Sequence, residues 1–420
     1  MAAIFRGLGY KFELLDQREN PDPEILMNLL KDYDIITIAT YEDSFPYIKR
    51  ATEIAKEINS STPVILGGSL ISSEPQIIME NTLADFAVIG EGEITTIELL
   101  DFIIDRKGEL VKIKGISYKK ENSIIVNEER EPLGDLDLIP FQDLSVWKRY
   151  NKNIDEIYLS TSRGCHYSCS FCYRTHPQYR VKSIERVKKE IEYLKEYHFK
   201  HAWINDLSFT CEPERIQRLM DESFSVYSFS WNCFARVNEV DLMTLKKMKE
   251  QGCDIILYGF EAISQEILNS YNKKLTKNDM INAVKSTREA NIKVGGLFII
   301  GAPYETKGSL IRIREFVKEY KEITRVKYLA AIPGTPLYHK MLEEGIIKDP
   351  VKHLTWLSRE QSIEEDIDDP DFLFMAKNVS KEELKKAYHD INYCIEIRPY
   401  NYNREGNSYL NQPKKFKKRI

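Results

Sequence analysis

Apolar, β-branched segments alternate with amphipathic helical segments twice along this chain, and a stretch of different character over residues 109–152 separates the two runs. In the first run KFELLD (11–16), DIITIAT (34–40), PVILGG (63–68) and DFAVIGEGE (85–93) read as strands. PDPEILMNLLKDY (21–33), YIKRATEIAKEIN (47–59) and TTIELLDFIID (95–105) read as helices. Buried strands separated by helices of this length bury both faces as a doubly wound parallel sheet. Such α/β sheets bind nucleotides or cofactors beyond the carboxyl ends of their strands.

The second run starts near residue 157 and supplies six strands: 157–162, 201–206, 229–236, 254–261, 293–301 and 326–332. Helices such as 181–197 and 275–290 separate them. Six βα units are too few for a closed eight-fold barrel, so a partial, open barrel is expected, with its site at the carboxyl ends of the strands. Between the runs, IKGISYKKENSIIVNEE reads as a hairpin turning at Glu121-Asn122, followed by a Pro- and Asp-punctuated linker. After 345 comes a mixed tail, in which Ser380 and Glu383 have the spacing of a capping box. The domain division is therefore 1–108, 109–152, 153–345 and 346–420.

The seven cysteines are unevenly placed. None precedes Cys165, Cys165, Cys169 and Cys172 lie within eight residues, and Cys211, Cys233, Cys253 and Cys394 are scattered. An odd count with one tight group argues for a metal centre, not a disulfide framework. The formal net charge of −5 gives no global field for nucleic acid; PKKFKKRI (413–420) is a basic run of the kind usually solvated. No stretch approaches the length of a membrane span, and the amino terminus lacks a signal-peptide layout, so cytoplasmic residence is expected.

The group itself is RGCHYSCSFCYR (163–174), directly after the first strand of the second run. Its spacing is C-x3-C-x2-C. Structural zinc sites close with four ligands, usually from two C-x2-C pairs, and here only His166 and His176 offer themselves as a fourth. Three thiolates in a loop suit a 4Fe–4S cluster, with one iron left open.

With Phe171 before the last cysteine, this motif resembles the signature of the radical S-adenosylmethionine (radical SAM) superfamily. The resemblance implies that the open iron chelates the methionine moiety of S-adenosylmethionine and that reduction releases a deoxyadenosyl radical. It further implies an external electron donor of flavodoxin or ferredoxin type and a small-molecule or peptide substrate. Later segments match in order. Asn205 and Asp206 in INDLSFTC resemble the acidic position that holds the methionine amino group, without the usual Gly-Gly-Glu. Arg236 in WNCFARVNEVD and Glu261 in LYGFEA fall at strand ends, the latter similar to a carboxylate that contacts ribose hydroxyls. Gly301 in FIIGAPYET is expected against adenine, with Tyr304 where the family has glycine. IPGTPLY (332–338) also fits. Cys233 reads as a strand residue.

The amino-terminal segments AIFRGLGYKFELLD, PVILGGSLISSEP and FAVIGEGE resemble the cobalamin-binding domain of the class that includes anaerobic magnesium-protoporphyrin cyclase and cobalamin-dependent methyltransferases. Gly67 and Gly68 are the expected cobalamin contacts; a plain strand-to-helix turn is the equal alternative. The D-x-H-x-x-G motif is absent, since the first histidine is His166. The class's first, central strand has no counterpart, so either the start lies upstream or the domain is a remnant. In the latter case the remaining strands are expected to close up, with no room for the cobalamin tail. Three functions follow: cobalamin-dependent methylation, a corrin-free radical cyclisation or rearrangement, or a non-catalytic iron–sulfur scaffold. A methylthiotransferase would need a second three-cysteine group before Cys165, and none is there.

Overall fold

The apolar run ITIAT forms strand β1 (Ile36–Thr40), and VILGG forms β2 (Val64–Gly68). They pair in parallel, and β2 pairs in parallel with β3 (Phe86–Val88). The structure is a computed structural model and describes residues 1–16, 29–148, 154–359 and 367–396. The helix between β1 and β2 spans Phe45–Ile58, opening two residues before the expected start because Ser44 is followed by Phe45-Pro46, with proline in the first turn. Its buried stripe, which includes Ile48, Ala51 and Ile54, covers the sheet.

Two expectations need correction here. Residues 11–16 form no strand. A strand needs a partner, and among the described residues β1 pairs on one side only, with β2. The expected hairpin forms, turning at Glu121-Asn122, and the correction is to its place: it extends the amino-terminal sheet. Strands β4 (Ile116–Lys120) and β5 (Ser123–Val126) pair with each other, and β4 runs antiparallel to β3, so the order is β1-β2-β3-β4-β5. The open edge of β3 is thereby covered. The sheet is mixed, with its parallel part confined to three strands. The helix expected over 21–33 lies largely outside the described residues, and the tail 413–420 wholly so.

The second run folds as expected. Strands β6 (Glu156–Leu159), β9 (His201–Ile204), β10 (Ser230–Ala235), β11 (Cys253–Glu261), β12 (Lys293–Ile300) and β13 (Ile323–Tyr328) form one parallel sheet in the order β13-β12-β11-β10-β9-β6. A short ladder of β7 (Ser162–Arg163) and β8 (Arg180–Val181) interrupts the chain after β6. The sheet is open, since β6 and β13 do not pair among the described residues. Alternate residues, among them Ile204, Trp231, Cys233 and Phe260, join the core under the helices. The other set, including Tyr158, Trp203, Asn232 and Phe234, faces the concave side. Helix Lys381–Glu396 packs on β13 and carries the expected capping box: Ser380 N–H donates to Glu383 Oε2 (3.0 Å) and Glu383 N–H to Ser380 Oγ (3.2 Å).

Candidate active site

The cysteine motif occupies the loop 164–179, whose base is closed by β7 and β8. Gly164 sits at the pinch with φ +80°, and a Cβ there would lie 2.0 Å from the carbonyl oxygen of Gln178, so no other residue fits. Within the loop Cys172 N–H donates to the Cys169 carbonyl (3.2 Å). Most other ties run outward. Ser170 donates from N to Tyr271 O (3.0 Å) and from Oγ to Ser270 O (3.2 Å). Asn272 Nδ2 donates to Ser168 Oγ (2.7 Å), and Leu337 N to Ser170 O (2.8 Å). Phe171 packs edge-on against Tyr271, with centroids 4.9 Å apart.

Cys169 is buried, and Cys165 and Cys172 are half-buried. The Cys172 thiol is pushed up to about 11, first by burial and then by the proximity of Cys169, with Cys165 adding to it and Lys273 opposing. A buried thiol of this kind ionises when a bound cation supplies the countercharge. Among the described residues no three His, Cys, Asp or Glu side chains converge on a single ion position. Three thiols in one loop are the donor set of a four-iron cluster that keeps one iron open.

Around the triad stands a buried set of charges. Arg236, 6% exposed, donates from Nη1 to Cys169 Sγ (3.6 Å) and from Nη2 to the Lys273 carbonyl. Its guanidinium carbon lies 3.5 Å from the Tyr167 ring centroid. Glu261 ends β11 in the left-handed region (φ +65°), and its Oε1 accepts from Lys273 Nζ at 2.9 Å. Both side chains are buried, while Glu261 Oε2 has no partner among the described residues. Gly259 makes the room, since a Cβ there would fall 2.2 Å from Glu261 Oε1. A non-glycine residue at positive φ, a buried ion pair and an unpartnered carboxylate oxygen mark a position held for a ligand.

The other expected residues divide. Asn205 is exposed at the end of β9. Asp206 is fully engaged: Oδ1 accepts from the backbone N–H of Thr161 (2.7 Å) and Ser162 (3.1 Å), and Oδ2 from their hydroxyls (2.6 and 2.7 Å). Burial pushes its carboxyl up against those hydrogen bonds. In this arrangement it fixes the approach to the cysteine loop. Gly301 has φ +94°, donates to the buried Glu305 (3.1 Å), and leaves space that Leu384 approaches to 3.1 Å of the missing Cβ. Tyr304 is exposed. In the amino-terminal sheet a Cβ on Gly68 would lie 2.4 Å from Thr40 O, so its freedom is used by β1, whereas a Cβ on Gly67 meets no atom of the described residues within 4 Å. Lys273, Tyr167 and Gly259 were not singled out from the sequence. Nothing in NSYNKKLT distinguishes a lysine that turns inward.

The two sheets meet at this loop. Arg180 donates to Glu91 (Nη1–Oε2 3.0 Å, Nη2–Oε1 2.5 Å) and to Leu133 O (2.6 Å), and Arg163 donates to Glu93 (2.6 Å). Burial raises the Glu91 carboxyl, but Arg180 and Arg163 outweigh it and hold it below its ordinary value. A Cβ on Gly90 would sit 3.0 Å from His176 Nε2, and one on Gly334 would sit 2.6 Å from Ser73 Cβ. The loops after β2 and β3 therefore abut the cysteine loop.

Three thiols at the carboxyl ends of an open parallel barrel, backed by buried charge, define an iron–sulfur enzyme of the S-adenosylmethionine-cleaving kind. The Radical SAM superfamily model matches residues 159–317, and the B12 binding domain model matches 1–100. An uncharacterized methyltransferase of Pyrococcus horikoshii is 30% identical over 394 residues, covering 84% of each chain. The anaerobic magnesium-protoporphyrin IX monomethyl ester cyclase of Cereibacter sphaeroides is 25% identical over 342 residues, 76% of this chain and 55% of the cyclase. The radical S-adenosylmethionine methyltransferase TsrM of Kitasatospora setae, solved with cobalamin and a [4Fe-4S] cluster, shares the fold with TM-score 0.67 at 19% identity, covering 81% of this chain and 73% of that one. The chain belongs to the radical SAM superfamily, in the group that carries a B12-binding domain ahead of the barrel. It is an enzyme, and its family cofactors are a 4Fe–4S cluster and S-adenosylmethionine.

Proposed function

We propose that the chain is a cobalamin-dependent radical SAM methyltransferase acting on an unactivated carbon of a small-molecule or peptide substrate. The observation that carries this reading is the meeting of the two sheets. The loops after β2 and β3, where a doubly wound domain presents its cofactor, lie against the cysteine loop through Glu91–Arg180 and Gly90–His176. When bound, the cluster and S-adenosylmethionine supply a carbon radical, and the corrin supplies the methyl group. The protein's part is to bind, orient and shield.

Cys165, Cys169 and Cys172 hold the cluster. Glu261, kept in place by Lys273, offers Oε2 to the ribose diol; Asn205 serves the methionine amino group, and Phe171 packs beside the loop. Arg236 and the Gly301 backbone complete the pocket, and Gly67 faces the corrin. The units are taken as 1–108, 109–152, 153–345 and 346–420. A flavodoxin- or ferredoxin-type donor in the cytoplasm supplies electrons. Among the described residues no helix is long and apolar enough to cross a membrane.

A second reading, corrin-free cyclisation or rearrangement, is favoured by the close approach of Gly334 to Ser73 across the two domains, with Tyr173 of the cysteine loop beside them. Expression with hydroxocobalamin, followed by anaerobic purification, separates the two. The first reading expects stoichiometric corrin absorbance and S-adenosylhomocysteine alongside deoxyadenosine. A corrin-free sample that still yields deoxyadenosine would replace it with the second.

A further inference from the structure

The concave face of the barrel sheet carries a feature that the cofactors leave unused. Strand register places Tyr158, Trp203 and Asn232 side by side on β6, β9 and β10, all on the face opposite the helices. Phe234 follows two residues along β10, its ring 6.0 Å from that of Trp203. Tyr158 and Phe234 are 40% and 44% exposed, a large apolar showing for residues inside a barrel. Trp203 and Asn232, by contrast, are 6% and 1% exposed, and each keeps one polar atom without a partner among the described residues: Trp203 Nε1 and Asn232 Oδ1.

Neighbouring groups decide the chemistry of the Asn232 atom. Ser230 Oγ donates to Lys200 O (3.3 Å), so it accepts from His201 Nδ1 (2.8 Å). Burial lowers the His201 imidazole from its ordinary value against the pull of Asp254, and with Nδ1 donating to Ser230 the neutral ring's Nε2 accepts from Asn232 Nδ2 (3.0 Å). This leaves Oδ1 as a bare acceptor beside a bare indole donor. Buried polar atoms of this kind are normally satisfied, and leaving one unmet costs about 1–3 kcal/mol. Two of them, complementary and carried by residues that the register sets opposite each other, match the C=O and N–H of one amide group.

We propose that this face is the substrate's seat and selects a planar, apolar compound carrying a neutral amide. Trp203 donates to the amide carbonyl, Asn232 accepts from its N–H, and Tyr158 and Phe234 flank the apolar body. This rests on the chain's being a substrate-transforming enzyme of the family to which it belongs. The seat is linked to the site along one strand: Asn232, Phe234 and Arg236 share a face of β10, and Arg236 touches Cys169. At ~3.3 Å per residue, the amide anchor lies about 13 Å from the level of Arg236. The substrate is then long enough to span that distance, with its reacting carbon at the far end from the amide.

The test uses the full chain with its cluster reconstituted anaerobically, and ligand-observed NMR titrations with two probes of equal shape, 2-naphthamide and methyl 2-naphthoate. The amide makes both hydrogen bonds, while the ester lacks the donor. The expected result is binding of the amide at least about fivefold tighter than the ester. Trp203→Phe should weaken both probes by about fivefold through the carbonyl, Asn232→Leu should erase the amide's advantage, and Phe234→Ala should weaken both alike. Equal binding of the two probes to the unaltered protein, or no binding of either, overturns the proposal without any variant. Iron and corrin contents read on the same samples report separately on the proposed function.

Discussion

Lys273→Met is the substitution that most directly tests the charged arrangement at the end of β11. The unaltered pair is buried on both sides, with 6% exposure for Lys273 and 5% for Glu261, and is joined at 2.9 Å. Methionine keeps most of the volume and removes the charge. A buried carboxylate is then left with neither its cation nor a partner for Oε2, a situation that costs about 3–5 kcal/mol. Replacing both residues, Glu261→Gln with Lys273→Met, removes the stranded charge and should recover most of that loss. At roughly 2–4 °C per kcal/mol for a unit of this size, the single variant should melt about 6–20 °C below the parent, and the double variant only a few degrees below it. The assay is anaerobic thermal melting of parent, both single variants and the double, read as a cycle whose interaction term exceeds about 1.5 kcal/mol. If Lys273→Met costs less than 1 kcal/mol, or if the effects simply add, the carboxylate is not held as a buried ion pair and its assignment to the ribose loses its support.

Cysteine-to-alanine changes at 165, 169 or 172 should each abolish a cluster of about four irons and four sulfides, measured by iron and sulfide analysis, while Cys211→Ala and Cys394→Ala should not. Arg236→Gln removes a charged N–H donor from Cys169 Sγ, so the midpoint of the reconstituted cluster should move to more negative potential by on the order of 60 mV in an EPR-monitored titration; an unchanged midpoint would mean the contact is lost once iron binds. Burial pushes the Glu74 carboxyl up to about 7, so the folded state disfavours its ionisation and stability falls as pH rises from the unfolded value of about 4.3 towards 7. Glu74→Gln should therefore gain on the parent across that window, level off above it at about 1–2 kcal/mol after allowance for partial exposure, and gain nothing at pH 4; a gain independent of pH in melting curves would contradict the assignment.

Strands buried on both faces were the most legible part of the sequence. The runs that became β11 and β12 carry enough consecutive apolar residues to announce themselves, and their ends fall within a residue of expectation. Strand β13 begins three residues earlier than expected, at Ile323, because Arg325 and Lys327 alternate with its buried residues and blur the apolar run. The segment at 11–16 reads well as a strand, yet pairing is not a property of one segment, and it joins neither sheet. The same holds at the site. Cys165, Cys169 and Cys172 are visible because their spacing is local, and the Ser380–Glu383 box for the same reason. The employment of Asp206 is not visible, since it depends on Thr161 and Ser162, 45 and 44 residues away in the chain. Lys273 is hidden likewise: its burial is decided by Glu261 and Gly259 on another element.

The cysteine loop borrows its order. Within it the backbone offers Cys172 to Cys169, while the sharper constraints come from outside: the 270–273 turn after β11, Leu337, and the ladder whose Arg180 is bound by Glu91. Arg180 is 7% exposed, so its ion pair is a costly contact to break, and it joins the base of the loop to the helix that follows β3. The amino-terminal domain thus does structural work for the iron–sulfur site whether or not it carries a corrin. A chain that had lost the corrin would still have to keep Glu91, Glu93 and the fold that presents them. Persistence of that domain is then weak evidence for the cofactor. Corrin content of the purified protein, and not the presence of the domain, therefore decides between the two readings.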